Sequence, residues 1–234
     1  MDSFKLVALL PMKANSERIR GKNFKAFNGK PLFRWMLDKL YSMPEVERIV
    51  INTDARHILA EHGLTEDNKI QIRDRKQELL GDFTSMNRII EDDIGAVDSE
   101  AYLMTHTTNP LLRVETMRNA LALYYRNVGS GFDSVFATKK IQGRFYDSEC
   151  NPINHDPNVL TRTQDIAPWF EDVSNFYLFS RSSFKSSKAR IGSSPKMYVM
   201  DPMESMDIDD IETWNFAEIL SRHSTSQDSF KQSL

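Results

Sequence analysis

The sequence predicts an α/β protein whose sheet is largely parallel and covered by helices on both faces. Short apolar runs of strand length alternate with segments that carry apolar residues at helical spacing, from residue 5 to about residue 138. Most of these runs are continuously apolar, which is typical of strands buried on both faces. Of the 234 residues, 40% are hydrophobic, which is enough for one substantial core. Strands separated by helices in this way favour parallel neighbours.

The predicted strands and helices follow one another along the chain. The strands are 6–10, 49–51, 102–104, 135–137 and 176–179, and strand-like sequence returns at 196–200. Pro31 is expected at the first position of a helix, where its missing N–H would have no partner in any case. That helix carries an apolar stripe formed by Leu32, Phe33, Met36, Leu37 and Leu40. A second stripe is formed by Val114, Met117, Leu121 and Tyr124, and a last helix is expected from about residue 210.

The alternation of strands and helices ends at Lys139. Residues 139–170 contain a glycine and three prolines and have little periodicity. A segment of this length without regular structure is usually a functional loop or an interface arm. We therefore expect one domain over residues 1–223, with 139–170 inserted as an arm. Residues 224–234 are polar and rich in serine, and we expect them to be disordered.

Composition and charge exclude several classes of protein. The net charge is -3, so no overall positive field attracts nucleic acid, and we expect no nucleic-acid partner. A single cysteine, Cys150, rules out a disulfide within the chain and suits a reducing compartment. No run approaches the roughly 20 apolar residues of a membrane helix, and the first ten residues lack the features of a signal peptide. These observations predict a cytoplasmic protein without a membrane partner.

A basic segment follows the first predicted strand. Five of the fifteen residues from Pro11 to Lys25 are lysine or arginine. Open α/β sheets bind ligands outside the carboxyl ends of their strands, and lysine, arginine, serine and asparagine side chains donate hydrogen bonds to phosphate oxygens there. A solvated basic loop is the alternative, and the spacing alone does not decide between the two. The segment contains neither a Walker A loop nor a dinucleotide-binding fingerprint.

The order of residues in this segment resembles the acylneuraminate cytidylyltransferase family. That family has Pro-x-Lys/Arg-x-x-Ser, then Lys-Asn, then Gly-Lys-Pro-Leu at the start of a helix. The corresponding residues here are Pro11–Ser16, Lys22-Asn23 and Gly29–Leu32. The resemblance implies a mixed, mostly parallel sheet of the nucleotide-diphospho-sugar transferase type, a Rossmann variant, and a loop that wraps the triphosphate of CTP.

The resemblance also implies which residues hold the nucleotide. In the basic segment these are Lys13, Asn15, Ser16, Lys22 and Asn23. Lys13 occupies a position where the family usually has arginine; it keeps the charge but cannot bind phosphate in a bidentate manner. Further along, Arg75–Asp82 resembles the family's Arg-Pro-x-x-Leu-Ala-x-Asp, which makes Arg75 a phosphate contact, and Ser85 follows as a nucleotide-binding hydroxyl. Without the family, Arg75 would be interpreted as a surface arginine.

Three residues are implied as sugar contacts. Met104–Leu111 resembles the family's Leu-Gln-Pro-Thr-Ser-Pro-Leu, which places His106 where relatives often have a glutamine near the sugar. A structural histidine is the alternative. Gln164 and Asn175 are the other two contacts. The chain departs from the family at Val173-Ser174, where relatives have Asn-Gly, and it has no match for a sugar-binding arginine that some members carry nearby.

An acidic motif near the end of the chain resembles the Asp-Ser-Ile-Asp-Ile-Asp motif that closes the family's site. It includes Asp207 and Asp209, whose side chains project to the same side if the segment is extended. Paired carboxylates suit Mg²⁺, which also takes phosphate oxygens and waters. The resemblance thus implies Mg²⁺ as cofactor and a catalytic set of Lys13, Lys22, Asp207 and Asp209. Alternatively, Asp209 and Glu212 form a capping box for the last helix.

The implied activity is the activation of a nonulosonic, sialic-acid-like sugar with CTP, which gives the CMP-sugar and pyrophosphate. The partners are then CTP, an acidic sugar and a second copy of the chain, because relatives form homodimers through the region equivalent to 139–170. Two alternatives stay open. The acceptor is an eight-carbon ulosonic acid or a phosphonate, as a partial match of Ser16–Lys22 to the eight-carbon family's loop suggests. Or the chain is a non-catalytic nucleotide-binding homologue, for which Lys13 and Val173-Ser174 would be the evidence.

Overall fold

The computed structural model describes the chain from Leu6 to Lys231, with side chains described as far as His223. The strands are β1 (Leu6–Leu9), β2 (Ala26–Phe27), β3 (Lys30–Pro31), β4 (Val46–Thr53), β5 (Ile70–Asp74), β6 (Ala101–Thr105), β7 (Ser134–Ile141), β8 (Trp169–Phe179) and β9 (Pro195–Val199). The helices are α1 (Leu32–Ser42), α2 (Arg56–Glu61), α3 (Met86–Ala96), α4 (Val114–Asn127), α5 (Arg181–Ser187) and α6 (Ile211–Lys231).

Seven strands form one sheet in the order β5-β4-β1-β6-β8-β7-β9, and β2 pairs with β3 in a separate small hairpin. Strands β5, β4, β1 and β6 are mutually parallel. Strand β8 runs antiparallel to both of its neighbours, and β9 is parallel to β7. The predicted α/β class with a mixed, mostly parallel sheet is confirmed. Because β1, β4, β5 and β6 point the same way, the loops that follow them lie together at one edge of the sheet.

Helices cover both faces of the sheet. On one face, apolar residues of α1 and α4 such as Leu37 and Met117 pack with Leu103 of β6. On the other face, Ile90 of α3 and Phe184 of α5 belong to a second apolar cluster. This arrangement explains why the central strands are continuously apolar: residues that point to either face are buried.

The structure also contains elements that the sequence pattern did not predict, namely α2, α3, α5 and β5. Helices α2 and α5 have only six and seven residues, too few to display a periodic stripe. Pro31 lies one position before its predicted place, at the N-cap of α1 rather than inside the helix. Among the described residues, no helix is both long and apolar enough to cross a membrane.

Strands β7 and β8 extend beyond their apolar runs into the predicted arm. They remain paired out to Ile141 and Trp169, so both ends of the arm continue the sheet. Their register shifts after Phe136, and Ser174, in the bulged part of β8, has a φ of 55°. This left-handed conformation is the one that glycine adopts most readily, which accounts for glycine in relatives that carry Asn-Gly here.

The predicted disordered tail lies largely outside the described residues. Helix α6 reaches Lys231, but side chains from residue 224 onward and residues 232–234 are not described. The expectation of disorder for 224–234 stays a prediction.

A buried polar network joins the ends of β4 and β5 to α3. Asn52 is fully buried, and its Nδ2 donates to Oδ1 of Asp93 at 2.8 Å. The same carboxylate oxygen lies 3.1 Å from Nε of Arg73, which also donates to Asp92 at 2.5 Å. On its other side, Asn52 accepts a hydrogen bond from Nε of Arg75 at 3.0 Å. The network therefore sets the position of Arg75 at the ligand-binding edge of the sheet.

Burial raises the pKa of Asp93 from 3.8 to about 6, against the opposing effects of Asn52 and Arg73. The folded protein therefore holds this proton more tightly than the unfolded chain. The resulting stabilisation is present in acid and is lost as pH rises from about 4 through 6. A shift of this size corresponds to about 3 kcal/mol.

We predict that Asp93→Asn removes this pH dependence. The unfolding free energy of the wild type, minus that of Asp93→Asn, should fall by about 3 kcal/mol between pH 4 and pH 8, in urea titrations. Asp92→Asn is the matched control. Although burial raises the pKa of Asp92, hydrogen bonds from Lys76 and Arg73 outweigh that effect and lower it, so this difference should change with the opposite sign. An unaltered pH dependence in Asp93→Asn would contradict the assignment.

Candidate active site

Four segments converge at the carboxyl edge of β1, β4, β5 and β6. They are the basic loop (13–25) after β1, the loop that begins at Arg75 after β5, the loop that begins at His106 after β6, and the carboxylate segment (204–209) before α6. The last two are joined by a backbone hydrogen bond from Ile208 to Thr108 at 2.9 Å. The sequence motifs thus come together in space although they are spread over almost the whole chain.

Lys22 connects the basic loop to the carboxylate segment. Its side chain is buried, and Nζ donates to the carbonyl oxygen of Ile208 at 2.5 Å. Asp207 and Asp209 flank that carbonyl in sequence. Burial lowers the pKa of Lys22, whereas the two carboxylates raise it. The ammonium group is thus held out of water next to the acidic pair.

The two carboxylates of the pair have different surroundings. Asp207 is half-buried and accepts a hydrogen bond from Nδ2 of Asn109 at 3.3 Å. Burial raises the pKa of Asp207, as does its neighbour Asp209, while a hydrogen bond from Thr108 lowers it. Asp209 instead forms an exposed ion pair with Arg18 at 3.0 Å. Asp207 is therefore the less solvated group, and a nearby cation would stabilise its charge.

A buried scaffold supports the carboxylate segment from below. Asn175 is fully buried, and its Nδ2 donates to the carbonyl oxygen of Glu204 at 2.8 Å. The Glu204 carboxylate in turn accepts hydrogen bonds from the backbone N and from Nε of Arg113, at 2.9 and 2.6 Å. This geometry gives Asn175, which we predicted to contact the sugar, a role in positioning the segment.

Asn23 plays a similar role in the basic loop. Its Nδ2 donates to the carbonyl oxygen of Lys13 at 2.8 Å, and its Oδ1 accepts from the hydroxyl of Thr107 at 2.6 Å. The start of the loop is fixed further by a hydrogen bond from Ala14 N to the Asp54 carboxylate at 2.7 Å. Asn23 thus ties the basic loop to the loop after β6.

Two predicted phosphate contacts are already engaged with the protein. The ammonium of Lys13 forms an ion pair with Asp82, in which both side chains are more than one-third exposed. Arg75 donates from Nε to Asn52 and from Nη2 to the carbonyl oxygens of Met12 and Asn52, at 3.1 and 2.9 Å. Its Nη1 forms no hydrogen bond with any residue in the described part of the chain. Arg75 is therefore a half-buried anchor with one nitrogen to offer a ligand.

The other predicted contacts differ in how they are placed. Asn15 is exposed and Ser16 half-buried on the basic loop. Ser85 is the N-cap of α3, where its hydroxyl accepts from the backbone N of Asn87 at 3.3 Å. Gln164 is exposed on a short 3-10 turn of the arm, and none of the hydrogen bonds between described residues ties it to the cleft. Within one chain, Gln164 thus stands apart from the other predicted site residues.

His106 has a neighbour that the sequence motifs did not indicate. The Nη1 atom of Arg190 lies 3.4 Å from Nε2 of His106, and the Arg190 guanidinium lies 3.9 Å from the ring centroid of Tyr177. Burial, Arg190 and Lys22 lower the pKa of His106 to about 3. His106 is therefore neutral at physiological pH. Arg190 escaped prediction because it lies 84 residues from His106, in a loop without a recognisable motif.

The carboxylate oxygens of Asp207 and Asp209 are donors of the type that Mg²⁺ takes. Among the described residues, no group of three or more histidines, cysteines or acidic residues could hold a metal ion. Asp207 and Asp209 interact electrostatically across the Ile208 carbonyl. Mg²⁺ takes one or two carboxylates and completes its shell with phosphate oxygens and waters, which matches a two-carboxylate site.

The predicted capping role of Asp209 is wrong. The N-cap of α6 is Asp210, whose Oδ1 accepts from the backbone N of Thr213 at 2.8 Å. Asp209 uses its backbone N to donate to the hydroxyl of Thr213, and its carboxylate faces Arg18. Helix α6 begins at Ile211, one residue later than a cap at Asp209 would require.

Comparisons with known proteins support the family resemblance of the motifs. A cytidylyltransferase family model matches residues 7–225. A pseudaminic acid cytidylyltransferase from Campylobacter jejuni is 24% identical over 225 residues, which cover 92% of this chain and 96% of the relative. A CMP-N,N'-diacetyllegionaminic acid synthase from Legionella pneumophila is 23% identical over 230 residues, with the same two coverages.

Among solved structures, CMP:2-keto-3-deoxy-manno-octonic acid synthetase complexed with CTP has a similar fold. Its TM-score is 0.67 at 12% identity, covering 94% of this chain and 99% of that one. The fold and the family match define a nucleotidyltransferase. The chain belongs to the cytidylyltransferase family, which confirms the resemblance in its motifs.

We predict that the acidic residues around Ile208 divide into two functions. Asp207→Ala and Asp209→Ala should each lower kcat by about 100-fold or more, because an interaction with developing phosphoryl charge is lost. Asp210→Ala should keep a near-normal kcat but lower the melting temperature by roughly 2–6 °C through loss of the N-cap. Pyrophosphate release and thermal melts measure the two effects.

The comparison between Asp209→Ala and Asp210→Ala is the internal control. Asp209→Ala should melt closer to the wild type than Asp210→Ala does, since it removes only an exposed ion pair. Near-normal turnover in both Asp207→Ala and Asp209→Ala would mean that these carboxylates are structural.

Proposed function

We propose that this chain is a CMP-nonulosonate synthetase, which transfers CMP from CTP to an acidic nine-carbon sugar and releases pyrophosphate. The observation that carries the proposal is the contact of buried Lys22 with the carbonyl between Asp207 and Asp209. It brings a cation suited to phosphate next to a carboxylate pair suited to Mg²⁺. Relatives that are 23 and 24% identical over most of their length are named for the activation of nonulosonic acids.

The triphosphate would lie along the basic loop. Lys13, Ser16, Lys22 and Arg75 surround this position and would counter its charge. Lys13 would exchange its exposed partner Asp82 for a phosphate oxygen, which costs little because exposed ion pairs are weak. Arg75 would offer Nη1 while its other donors keep the ends of β1 and β4 in place.

The chemical step would form a bond between the anomeric oxygen of the sugar and the α-phosphorus, break the bond from that phosphorus to the leaving pyrophosphate, and release the proton of the anomeric hydroxyl to water. The protein's contribution is positioning and stabilisation of charge. Asp207 and Asp209 would hold Mg²⁺, which would polarise the phosphoryl oxygens when bound. Lys22 would remain charged through its acidic neighbours and face the reacting phosphate.

His106 would orient the sugar rather than act as a general base. A base that works near neutral pH needs a pKa close to the working pH. Burial and two neighbouring cations lower the pKa of His106 to about 3, so it takes up a proton poorly. A neutral imidazole, however, can both donate and accept a hydrogen bond, which suits recognition of a hydroxyl group.

We predict that the protein releases pyrophosphate only from CTP and only with an acidic sugar. Activity with CTP should exceed that with ATP, GTP or UTP, when each is paired with pseudaminic, legionaminic or N-acetylneuraminic acid. The 2-keto-3-deoxy-manno-octonic acid tests the alternative acceptor that Ser16–Lys22 suggests. Lys22→Met is the control without activity, and Lys185→Met, which removes an exposed lysine of α5, is the matched active control.

Higher turnover with the eight-carbon acid would replace the proposed acceptor. Equal turnover of UTP would overturn the cytidine assignment. If no pair of substrates is turned over, the proposed activity is wrong and the chain is the non-catalytic nucleotide-binding homologue.

We also propose a homodimer formed through the arm. The arm exposes Val159 and Leu160, with 57 and 92% of their surface accessible. The edge strand β9 exposes Met197 and Val199, and β8, on the far side of β7, exposes Trp169. An exposed edge strand with apolar side chains favours association with another chain, and a two-fold dimer is the commonest closed assembly.

The dimer has a direct test in solution. Light scattering should give about 54 kDa, twice the 27.1 kDa of one chain. The double variant Val159→Asp, Leu160→Asp should shift the protein toward the monomer, because it places charge on apolar surface that the partner covers. Phe83→Asp is the matched control, since Phe83 is fully exposed but lies in the loop after β5. A wild-type protein of 27 kDa at micromolar concentration would contradict the proposal.

A further inference from the structure

We propose that Arg190 binds the carboxylate of the acidic sugar, in a subsite that it forms with His106 and Tyr177. The inference rests on the proposed function and adds the cation that the sequence motifs left unassigned. Three features support it: the position of the Arg190 loop beside β8 and β6, the way its guanidinium is held, and the charge of its neighbours.

The position places Arg190 in the sugar half of the site. The basic loop and Arg75 follow β1 and β5, on one side of the carboxyl edge. Tyr177, over which Arg190 is stacked, belongs to β8 and pairs with Met104 near the end of β6. His106 follows that strand directly. A substrate that reaches from the basic loop across the sheet edge would therefore place its sugar beneath Arg190.

The guanidinium is held without an opposing carboxylate of its own. It stacks on the Tyr177 ring, whose hydroxyl donates to both oxygens of Asp172 at 2.8 and 3.0 Å. The backbone N of Arg190 donates to Oδ1 of Asn87 at 3.3 Å, which ties this loop to the start of α3. Arg190 forms no ion pair with any residue whose side chain is described. Contact with the ring face restrains the guanidinium, and N–H groups other than the one directed at His106 can then bind a ligand.

The charge around Arg190 favours an anion. Arg190 and Lys22 both act on His106, so two cations face the same part of the cleft. His106 accepts from Arg190 through Nε2, which would leave its Nδ1 as a donor toward the substrate. A planar carboxylate matches the paired N–H groups of a guanidinium, and such charge-assisted bonds are among the strongest in proteins. The phosphates have their own cations in Lys13, Lys22 and Arg75.

The test compares Arg190→Gln with Arg190→Lys, using the acidic sugar that the wild type turns over best. Arg190→Gln should raise the KM for that sugar by about 10- to 100-fold, since a charge-assisted contact is lost. The KM for CTP should stay within about twofold of the wild type. Arg190→Lys keeps the charge without the planar pair of donors and should give an intermediate KM for the sugar. Arg126→Gln, at the exposed end of α4, is the matched control.

A change in the substrate tests the same contact without relying on the fold of a variant. The carboxamide of the sugar removes its charge, and the wild type should use it about 10- to 100-fold less efficiently in kcat/KM. Arg190→Gln should discriminate far less between acid and amide. Thermal melts and CTP titration of each variant show that it is folded.

The outcomes separate this inference from the proposed function. If the wild type turns over the sugar and Arg190→Gln has a normal KM for it, the inference is overturned and the proposed function stays intact. A raised KM for CTP at a normal sugar KM would assign Arg190 to the phosphates and overturn it as well. If the wild type used the acid and the carboxamide with similar kcat/KM, as Arg190→Gln is expected to do, the subsite would also be excluded. If the wild type releases no pyrophosphate with any acidic sugar, the proposed function and the inference fail together.

Discussion

The contact between Lys22 and the Ile208 carbonyl is the constraint on which the site depends. A buried ammonium is unfavourable unless anionic or carbonyl groups compensate it, and here the carbonyl, Asp207 and Asp209 do so. The basic loop near the start of the chain and the carboxylate segment near its end must therefore meet. The hydrogen bond between Thr107 and Asn23 adds a second connection, which ties the loop after β6 to the basic loop. The site thus depends on the completed fold, and no local part of the chain contains it.

The polar groups around the site fall into a rigid and an exchangeable set. Asn52, Asp93 and Arg75 are linked by buried hydrogen bonds, and breaking one would leave an unpaired buried group. By contrast, the ion pairs of Lys13 with Asp82 and of Arg18 with Asp209 are exposed and weak. A charged ligand can therefore displace the exposed partners while the buried set keeps its geometry. This division is what a site for a highly charged nucleotide needs.

The antiparallel strand β8 separates the two halves of the site. Strand β1, which is parallel to β4 and β6, ends in the basic loop that suits a nucleotide, as is usual for open α/β sheets. Strand β8 instead brings Asn175 and Tyr177 to the same edge from the opposite direction and continues outward into the arm. The proposed sugar subsite and the proposed dimer contact would in this way share one element.

The sequence by itself determined the fold class and the order of the main strands along the chain, because continuous apolar runs are local signals, and its motifs identified the family. Only the tertiary structure decided which polar side chains are buried as supports of neighbouring segments. Asn175 has the residue type of a sugar contact but is fully buried under Glu204. Asp210 rather than Asp209 caps α6, since the choice depends on backbone direction. Arg190 reaches His106 only because β6 and β8 are neighbours, a pairing between distant segments that no local pattern encodes.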